Sequence, residues 1–356
     1  MTPLDQTATW AETHRQPEIW RAWAEPLAEK AAELSGWITS RGIEEVWLSG
    51  AGSSSFIGQI AAAEAQTGLR LIPASTTDIV SAPKPWIARK ARILSIQFGR
   101  SGDSSESVGL LDILDAHRPD IDRLNITCNP NGALATRQGP GPGESRALVL
   151  PEATHDVGFA MTSSVTTMLL SALAVLGQID ASEALPKLAD AAGPILAAPM
   201  LADRPRPDRA IFLGTGAMQF VARESALKVL ELTAGKTMAI WDSSLGFRHG
   251  PKAAIEDGTQ VYILLHPDPH SRAYDLDLAA ELKQQFPDAS VTTIGPGGDI
   301  AYGGTGQACV DAVLAVLPSQ VLSARWSADL GLHVDDPFQG QGLSRVVAGV
   351  TLYPLP

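Results

Sequence analysis

Cysteine is almost missing from this chain: its 356 residues hold two, Cys128 and Cys309. Both sit in apolar segments that read as strands, and no metal-type cysteine spacing occurs. That excludes a disulfide framework and a thiolate metal centre, and makes a reducing, cytoplasmic compartment the expectation. Basic residues are outnumbered, with 27 Lys+Arg against 39 Asp+Glu and a formal net charge of −12, and they form no run or stripe. Nucleic acid and anionic membrane surfaces are therefore poor partners for it. The chain has no G-x-S-x-G elbow and no P-loop, which removes support for a hydrolase or NTPase of those kinds. A G-x-G turn passes from a strand signal into a helical one in each half, at 50–52 and 214–216, yet Ser55 and Gln219 stand where a dinucleotide fingerprint needs its third glycine, so nicotinamide and flavin are not expected. The first 17 residues lack a basic segment followed by an apolar one, and no signal peptide is expected. The longest apolar segment, 161–177, carries Thr162, Ser163, Ser164, Thr166, Thr167 and Ser171, and reads as a buried core helix rather than a membrane span.

What the chain does have is alternation. Strand signals fall near 45–49, 92–98, 123–128 and 147–150, then 209–213, 237–241, 260–265 and 290–294, with helical segments between. This is the pattern of parallel sheets covered by helices. The Pro/Gly-rich stretch 139–143 marks a surface loop, and Asp203-Arg204-Pro205-Arg206-Pro207-Asp208 marks the better domain boundary. Trp47-Leu48-Ser49-Gly50-Ala51-Gly52-Ser53 is echoed by Ile211-Phe212-Leu213-Gly214-Thr215-Gly216-Ala217, as two related halves would require. The first 45 residues are helical in pattern and rich in tryptophan (Trp10, Trp20, Trp23, Trp37), an arm expected to pack on its own domain or on a neighbouring subunit.

Three constellations could carry chemistry. In the first, the strand ending at Gly99 runs into Arg100-Ser101-Gly102-Asp103-Ser104 and a helix. Unpaired N–H groups and the positive end of the helix dipole would hold an anion there, with serine hydroxyls as further donors. The same letters fit a capping box between Asp103 and Glu106. In the second, Glu224, Lys228 and Glu231 fall on one helical stripe, either a solvated face with an ion pair or a catalytic carboxylate with its support. Phe247-Arg248-His249-Gly250-Pro251-Lys252 follows, a rigid turn presenting an imidazole that could be structural or a proton carrier. In the third, Thr154-His155-Asp156 through Thr162-Ser163-Ser164 opens onto the apolar helix, as a multiply capped terminus or as a second set of donors for a sugar.

Together, Gly50-Ala51-Gly52-Ser53-Ser54, Gly99 to Ser104, Glu224 to Lys228 with Glu231, and Arg248-His249-Gly250-Pro251 resemble the sugar isomerase (SIS) domains. The arrangement is similar to the tandem isomerase half of glucosamine-6-phosphate synthase. It is more similar still to the galactosamine-6-phosphate deaminase/isomerase family, long labelled tagatose-6-phosphate ketose/aldose isomerase, with matching segments spread over almost the whole length. The resemblance implies an α/β fold of two tandem SIS domains, each a parallel sheet flanked by helices in a flavodoxin-like three-layer sandwich. The boundaries would be a helical N-terminal arm at 1–45, a first domain at 46–203 and a second at 204–356.

It also implies roles. Gly99, Arg100, Ser101 and Ser104 match the phosphate-binding turn; Gly52, Ser53 and Ser54 line the sugar pocket; Thr162, Ser163 and Ser164 match a further sugar-contacting turn. Glu231 matches the carboxylate that moves a proton between C1 and C2, and His249 the residue linked to ring opening. His155, Lys228 and Arg345 complete the candidate substrate contacts. In the synthase the histidine comes from the partner subunit, which implies a homodimer with composite sites. Two departures from the synthase matter. Its glutaminase domain has no counterpart here, so the expected direction is ammonia release. Arg345 stands where the synthase has a lysine proposed to form a Schiff base, which a guanidinium cannot do. The implied function is an amino sugar phosphate deaminase acting on D-galactosamine 6-phosphate, giving tagatose 6-phosphate and ammonia with no metal or organic cofactor. The alternatives are an ammonia-independent phosphosugar isomerase, a glucosamine-6-phosphate deaminase and a non-catalytic phosphosugar sensor.

Overall fold

A computed structural model describes residues 2–353 and 355. The described residues form two all-parallel sheets, in the strand orders β2-β1-β3-β4-β5 and β7-β6-β8-β9. The first contains β1 (Glu45–Ser49), β2 (Arg70–Pro73), β3 (Ile93–Gly99), β4 (Asp122–Thr127) and β5 (Ser145–Val149). The second contains β6 (Arg209–Gly214), β7 (Met238–Ser243), β8 (Gln260–Leu264) and β9 (Ser290–Ile294). Parallel strands need crossovers, and helices supply them, as the alternating pattern requires. Sequence signals anticipate eight of these strands; β2 is the addition. It is a four-residue edge strand closed by Pro73, too short for alternation to register.

Two compact units hold these sheets, each assembled from separated stretches of chain. The first-sheet unit comprises Ala22–His155, Ser163–Ser182 and the chain from Ser344 onward; the second-sheet unit comprises the chain up to Arg21, Asp156–Thr162 and Glu183–Leu343.

In the first sheet, Trp47 and Ile93 point to one face and pack with Ile79 of the Thr76–Ser81 helix and Leu110 and Leu114 of the Ser105–His117 helix. The opposite face meets the Ser53–Ala63 and Ser163–Val175 helices. Every residue of the Ser163–Val175 helix is buried, its serines and threonines included, as expected of a core helix rather than a membrane span. In the second sheet, Ile211, Leu213, Val261 and Ile263 pack with Leu278 and Leu282 of the Pro269–Gln285 helix. On the other face Tyr262 stacks on Phe212 at 5.1 Å between centroids and meets Trp326 of the Leu317–Asp329 helix. Cys309, expected in a strand, lies instead in the Ala308–Ala315 helix, because a short apolar run does not distinguish a strand from a buried helix.

Candidate active site

In each sheet the strand order reverses at one point, between β1 and β3 in the first and between β6 and β8 in the second. Crevices at the carboxyl ends of such strands are where open α/β sheets bind ligands. The G-x-G turns lie at these ends and are built alike. Gly52 (φ 56°, ψ −131°) and Gly216 (φ 58°, ψ −129°) start their helices in a conformation that L side chains rarely adopt. A Cβ on Gly50 would lie 2.5 Å from the Ser54 carbonyl carbon, and one on Gly214 would lie 2.6 Å from that of Met218. The echo between the halves is thus a shared backbone device, bringing a helix start hard against a strand end. Ser53 and Ser54, in the first turn of the helix that follows Gly52, are buried.

Beside this turn, the segment from Gly99 to Ser104 links β3 to the Ser105–His117 helix. The cap is Ser104, whose hydroxyl accepts the Ser107 N–H at 3.4 Å and donates to Ser107 Oγ at 2.9 Å. This corrects the capping box on Asp103. The Asp103 carboxylate turns away to accept the Ala133 N–H at 2.7 Å, and so braces the loop from outside the helix. The Ser101 carbonyl accepts Asn129 Nδ2 at 2.8 Å, and the Ser101 hydroxyl accepts the Asp103 N–H at 3.3 Å. The end of the chain crosses the same loop: Arg100 donates to the Arg345 carbonyl at 3.5 Å, and the Ser105 N–H donates to the Val347 carbonyl at 3.1 Å. The first-sheet unit therefore brings Gly52, Ser53, Ser54, Gly99, Arg100, Ser101, Ser104, His155, Ser163, Ser164 and Arg345 into one body. Ser163 and Ser164 open the buried Ser163–Val175 helix, His155 is half-buried, and Arg345 is exposed.

The second-sheet unit holds Thr162, Glu224, Lys228, Glu231 and His249. The solvated-face reading of the helical stripe is corrected here. Lys228 is completely enclosed, with Nζ 2.5 Å from Glu231 Oε2 and 3.4 Å from Glu224 Oε1. Glu224 is also enclosed, whereas the Glu231 side chain keeps 23% of its surface exposed. An ammonium withdrawn from water is tolerable only with such anionic partners, so the triad is a fixed assembly with one carboxylate reaching solvent.

His249 ends the Gly246–His249 turn and is exposed, while its neighbour Phe247 is buried and anchors the turn. Arg248 donates to Glu281 and Asp277, both at 2.7 Å, and Lys252 also pairs with Glu281. The Lys252 and Arg248 hydrogen bonds hold Glu281 below the usual carboxylate range. Three strand ends are tied by another acid: Asp275 accepts the hydroxyls of Thr215 (2.6 Å) and Ser244 (2.5 Å) and the His266 N–H (2.9 Å). Burial raises its pKa against those hydrogen bonds.

Sequence reasoning placed Asp156 in the polar turn before Thr162 but missed the carboxylates of Glu12 and Asp335 that join it. Asp156 accepts the Thr162 N–H at 2.8 Å and its hydroxyl at 3.1 Å. Glu12, on the Ala8–His14 helix, accepts the Val157 N–H at 2.5 Å. Asp335 accepts the N–H groups of Ala8 and Thr9 and the Thr9 hydroxyl. The available signal was a polar stripe on the wrong side: Thr9, Glu12, Thr13 and Gln16, at helical spacing, are all buried.

Comparison with known proteins agrees along the whole chain, although no family model matches it. It is 36% identical to the D-galactosamine-6-phosphate deaminase AgaS of a Shewanella species, with 97% of this chain and 92% of that protein covered. It is likewise 36% identical to the Escherichia coli D-galactosamine-6-phosphate deaminase AgaS, covering 98% and 96%. Among solved structures, the tagatose-6-phosphate ketose/aldose isomerase of Escherichia coli superposes with a TM-score of 0.88 at 33% identity, covering 99% of this chain and 98% of that one.

Proposed function

The chain belongs to the D-galactosamine-6-phosphate deaminase AgaS family, whose members are enzymes of phosphosugars, and from that premise we propose that it converts D-galactosamine 6-phosphate and water to tagatose 6-phosphate and ammonia. The observation that carries this reading is the enclosed Lys228, which fixes Glu231 as a carboxylate with one face open. A stripe of surface charges would have no such burial. Phosphate is assigned to the Gly99–Ser104 loop at the switch point, supported by the Ser101 and Ser104 hydroxyls and the start of the following helix. Gly52, Ser53, Ser54, Thr162, Ser163 and Ser164 are assigned to the sugar, with His155 and Arg345 at its margin.

The proton movements then follow. His249 assists ring opening by exchanging a proton at the ring oxygen, giving the open aldehyde. Glu231 takes the C2 proton while the carbonyl oxygen gains one, forming an enolamine; returning the proton to C1 gives the ketimine. Water adds at C2, the nitrogen is protonated, and ammonia leaves as the C–N bond breaks. Lys228 is a positioning residue in this scheme, holding Glu231 from behind. His249 sits on an exposed, pinned turn, a placement that suits delivery to the site of a partner subunit in a homodimer.

The test is ammonia release from D-galactosamine 6-phosphate and D-glucosamine 6-phosphate, run beside interconversion of the corresponding nitrogen-free ketose and aldose phosphates. The proposal requires ammonia, with the galacto substrate preferred in kcat/KM. Isomerisation without ammonia would instead favour the reaction named for the Escherichia coli structure.

A further inference from the structure

Glu12 is an unusual residue to bury. It is 2% exposed, no ion pair to it occurs among the described residues, and the charges that act on it are those of two further acids, Asp156 and Asp335. A carboxylate placed so is costly, and a fold that needed only a helix contact would be better served by an apolar side chain. What Glu12 does have is a pair of backbone donors: Oε1 accepts the Val157 N–H at 2.5 Å and the Gly158 N–H at 3.4 Å. The approach is close. A Cβ on Gly158 would stand 2.4 Å from Thr9 Oγ1 and 3.1 Å from Glu12 Oε2, so this backbone lies directly on the Ala8–His14 helix.

The segment so held, 156–162, is short and fastened along its length. Phe159 donates its N–H to the Asp335 carbonyl at 2.9 Å, and Asp335 in turn caps the Ala8–His14 helix through the N–H groups of Ala8 and Thr9. Asp156 closes the far end on the Thr162 N–H and hydroxyl. The Thr162 carbonyl accepts Gln320 Nε2 at 3.4 Å, and Gln320 Oε1 accepts Gln16 Nε2 at 2.7 Å, on the residue that opens the next helix. Thr162 therefore has its amide and hydroxyl assigned to Asp156 within the segment, and its carbonyl to Gln320, which Gln16 holds in turn. Chain entropy works against such an irregular segment, so each fixed N–H counts.

We propose that Glu12 is a positioning residue for the sugar-contacting turn: by holding the Val157 and Gly158 amides it fixes the 156–162 segment, and through Asp156 it sets Thr162 for the substrate. The inference rests on the reading of Thr162 as a sugar contact.

The experiment compares wild type with Glu12→Ala, Glu12→Gln and Glu12→Asp. Steady-state ammonia release gives KM and kcat, calorimetry gives the Kd of D-galactosamine 6-phosphate, and competition gives the inhibition constant of inorganic phosphate. Glu12→Ala is expected to raise KM and Kd about tenfold or more, to leave the phosphate constant within about twofold, and to speed amide exchange at 157–162. Glu12→Gln keeps an oxygen acceptor at the same reach and should restore both constants to within about threefold. Glu12→Asp keeps the charge but withdraws the acceptor by one methylene and should resemble Glu12→Ala; it serves also if the alanine variant does not fold. Unchanged KM and Kd in Glu12→Ala or Glu12→Asp overturn the proposal. So does a parallel loss of sugar and phosphate affinity, which a general role in folding would produce. Wild type that binds the sugar phosphate without releasing ammonia defeats the deaminase reading instead, and the Kd series still decides the role of Glu12.

Discussion

Replacing Lys228 by methionine keeps the length and apolar stem of the side chain and removes only its charge. In the folded protein that ammonium is wholly enclosed and is shared by Glu231 at 2.5 Å and by the enclosed Glu224 at 3.4 Å. Its loss leaves two carboxylates facing each other, one of them without access to water. Breaking a buried pair from one side costs about 3–5 kcal/mol, more than the pair contributes over an apolar replacement, because the orphaned charge stays behind. For a domain of roughly 150–250 residues, each kcal/mol moves Tm by about 2–4 °C, so a fall of roughly 6–20 °C is expected by scanning calorimetry. The double variant Glu224→Gln with Lys228→Met removes the orphaned charge together with its partner and should recover part of that fall. Ammonia release should drop in the single variant even at temperatures where it is fully folded, because Glu231 loses its support. A Tm within about 2 °C of wild type would refute the reasoning. It would mean that the three residues behave as an exposed helical stripe, whose ion pairs contribute only about 0–1 kcal/mol.

Burial first, then the charge of Asp156 and that of Asp335, raise Glu12 from 4.5 to about 7 against the Val157 and Gly158 hydrogen bonds. The folded state thus binds more protons than the unfolded chain between those values; the contribution is complete below pH 4.5 and disappears as pH rises through 7, by roughly 3 kcal/mol. Denaturant unfolding at pH 5 and pH 8 should show Glu12→Gln gaining stability over wild type by about that amount at the higher pH, and an unchanged difference would contradict it. Replacing Ser101 and Ser104 by alanine should raise KM for phosphorylated sugars about tenfold or more, with a stability loss near the ~1 kcal/mol of a lost cap; stability loss with unchanged KM would leave these hydroxyls as caps alone. Mixing inactive Glu231→Gln with inactive His249→Ala protein should restore about a quarter of wild-type activity, since random exchange makes about half the dimers mixed, each with one intact site. No recovery after verified exchange would place both groups in one chain.

Much of this was legible beforehand, and the exceptions share a cause. Strands β8 and β9 announce themselves as β-branched, apolar runs after turn signals, and their positions follow from periodicity alone. The paired G-x-G turns are legible too, because only glycine fits the close approach at Gly50 and Gly214 and the positive φ at Gly52 and Gly216. Spacing put Glu224, Lys228 and Glu231 on one stripe but said nothing of which way the stripe faces, and its burial is set by packing that local pattern does not encode. Capping at Ser104 rather than Asp103 turned on Ala133, a distant amide that claims the aspartate. The partners of Glu12 were beyond reach for the same reason: they lie near residue 157, and a polar stripe on a short helix gives no sign of them.

The most direct test of the central claim is ammonia release by Glu231→Gln, measured beside its affinity for D-galactosamine 6-phosphate. Glutamine retains the shape and a hydrogen-bonding oxygen toward Lys228 but cannot carry a proton between C2 and C1. General acid–base catalysis of this kind contributes roughly 10²–10⁴-fold, so kcat should fall by that factor while Kd stays within about threefold of wild type. Turnover at the wild-type rate would contradict the account, leaving Glu231 as one more carboxylate paired with a buried lysine.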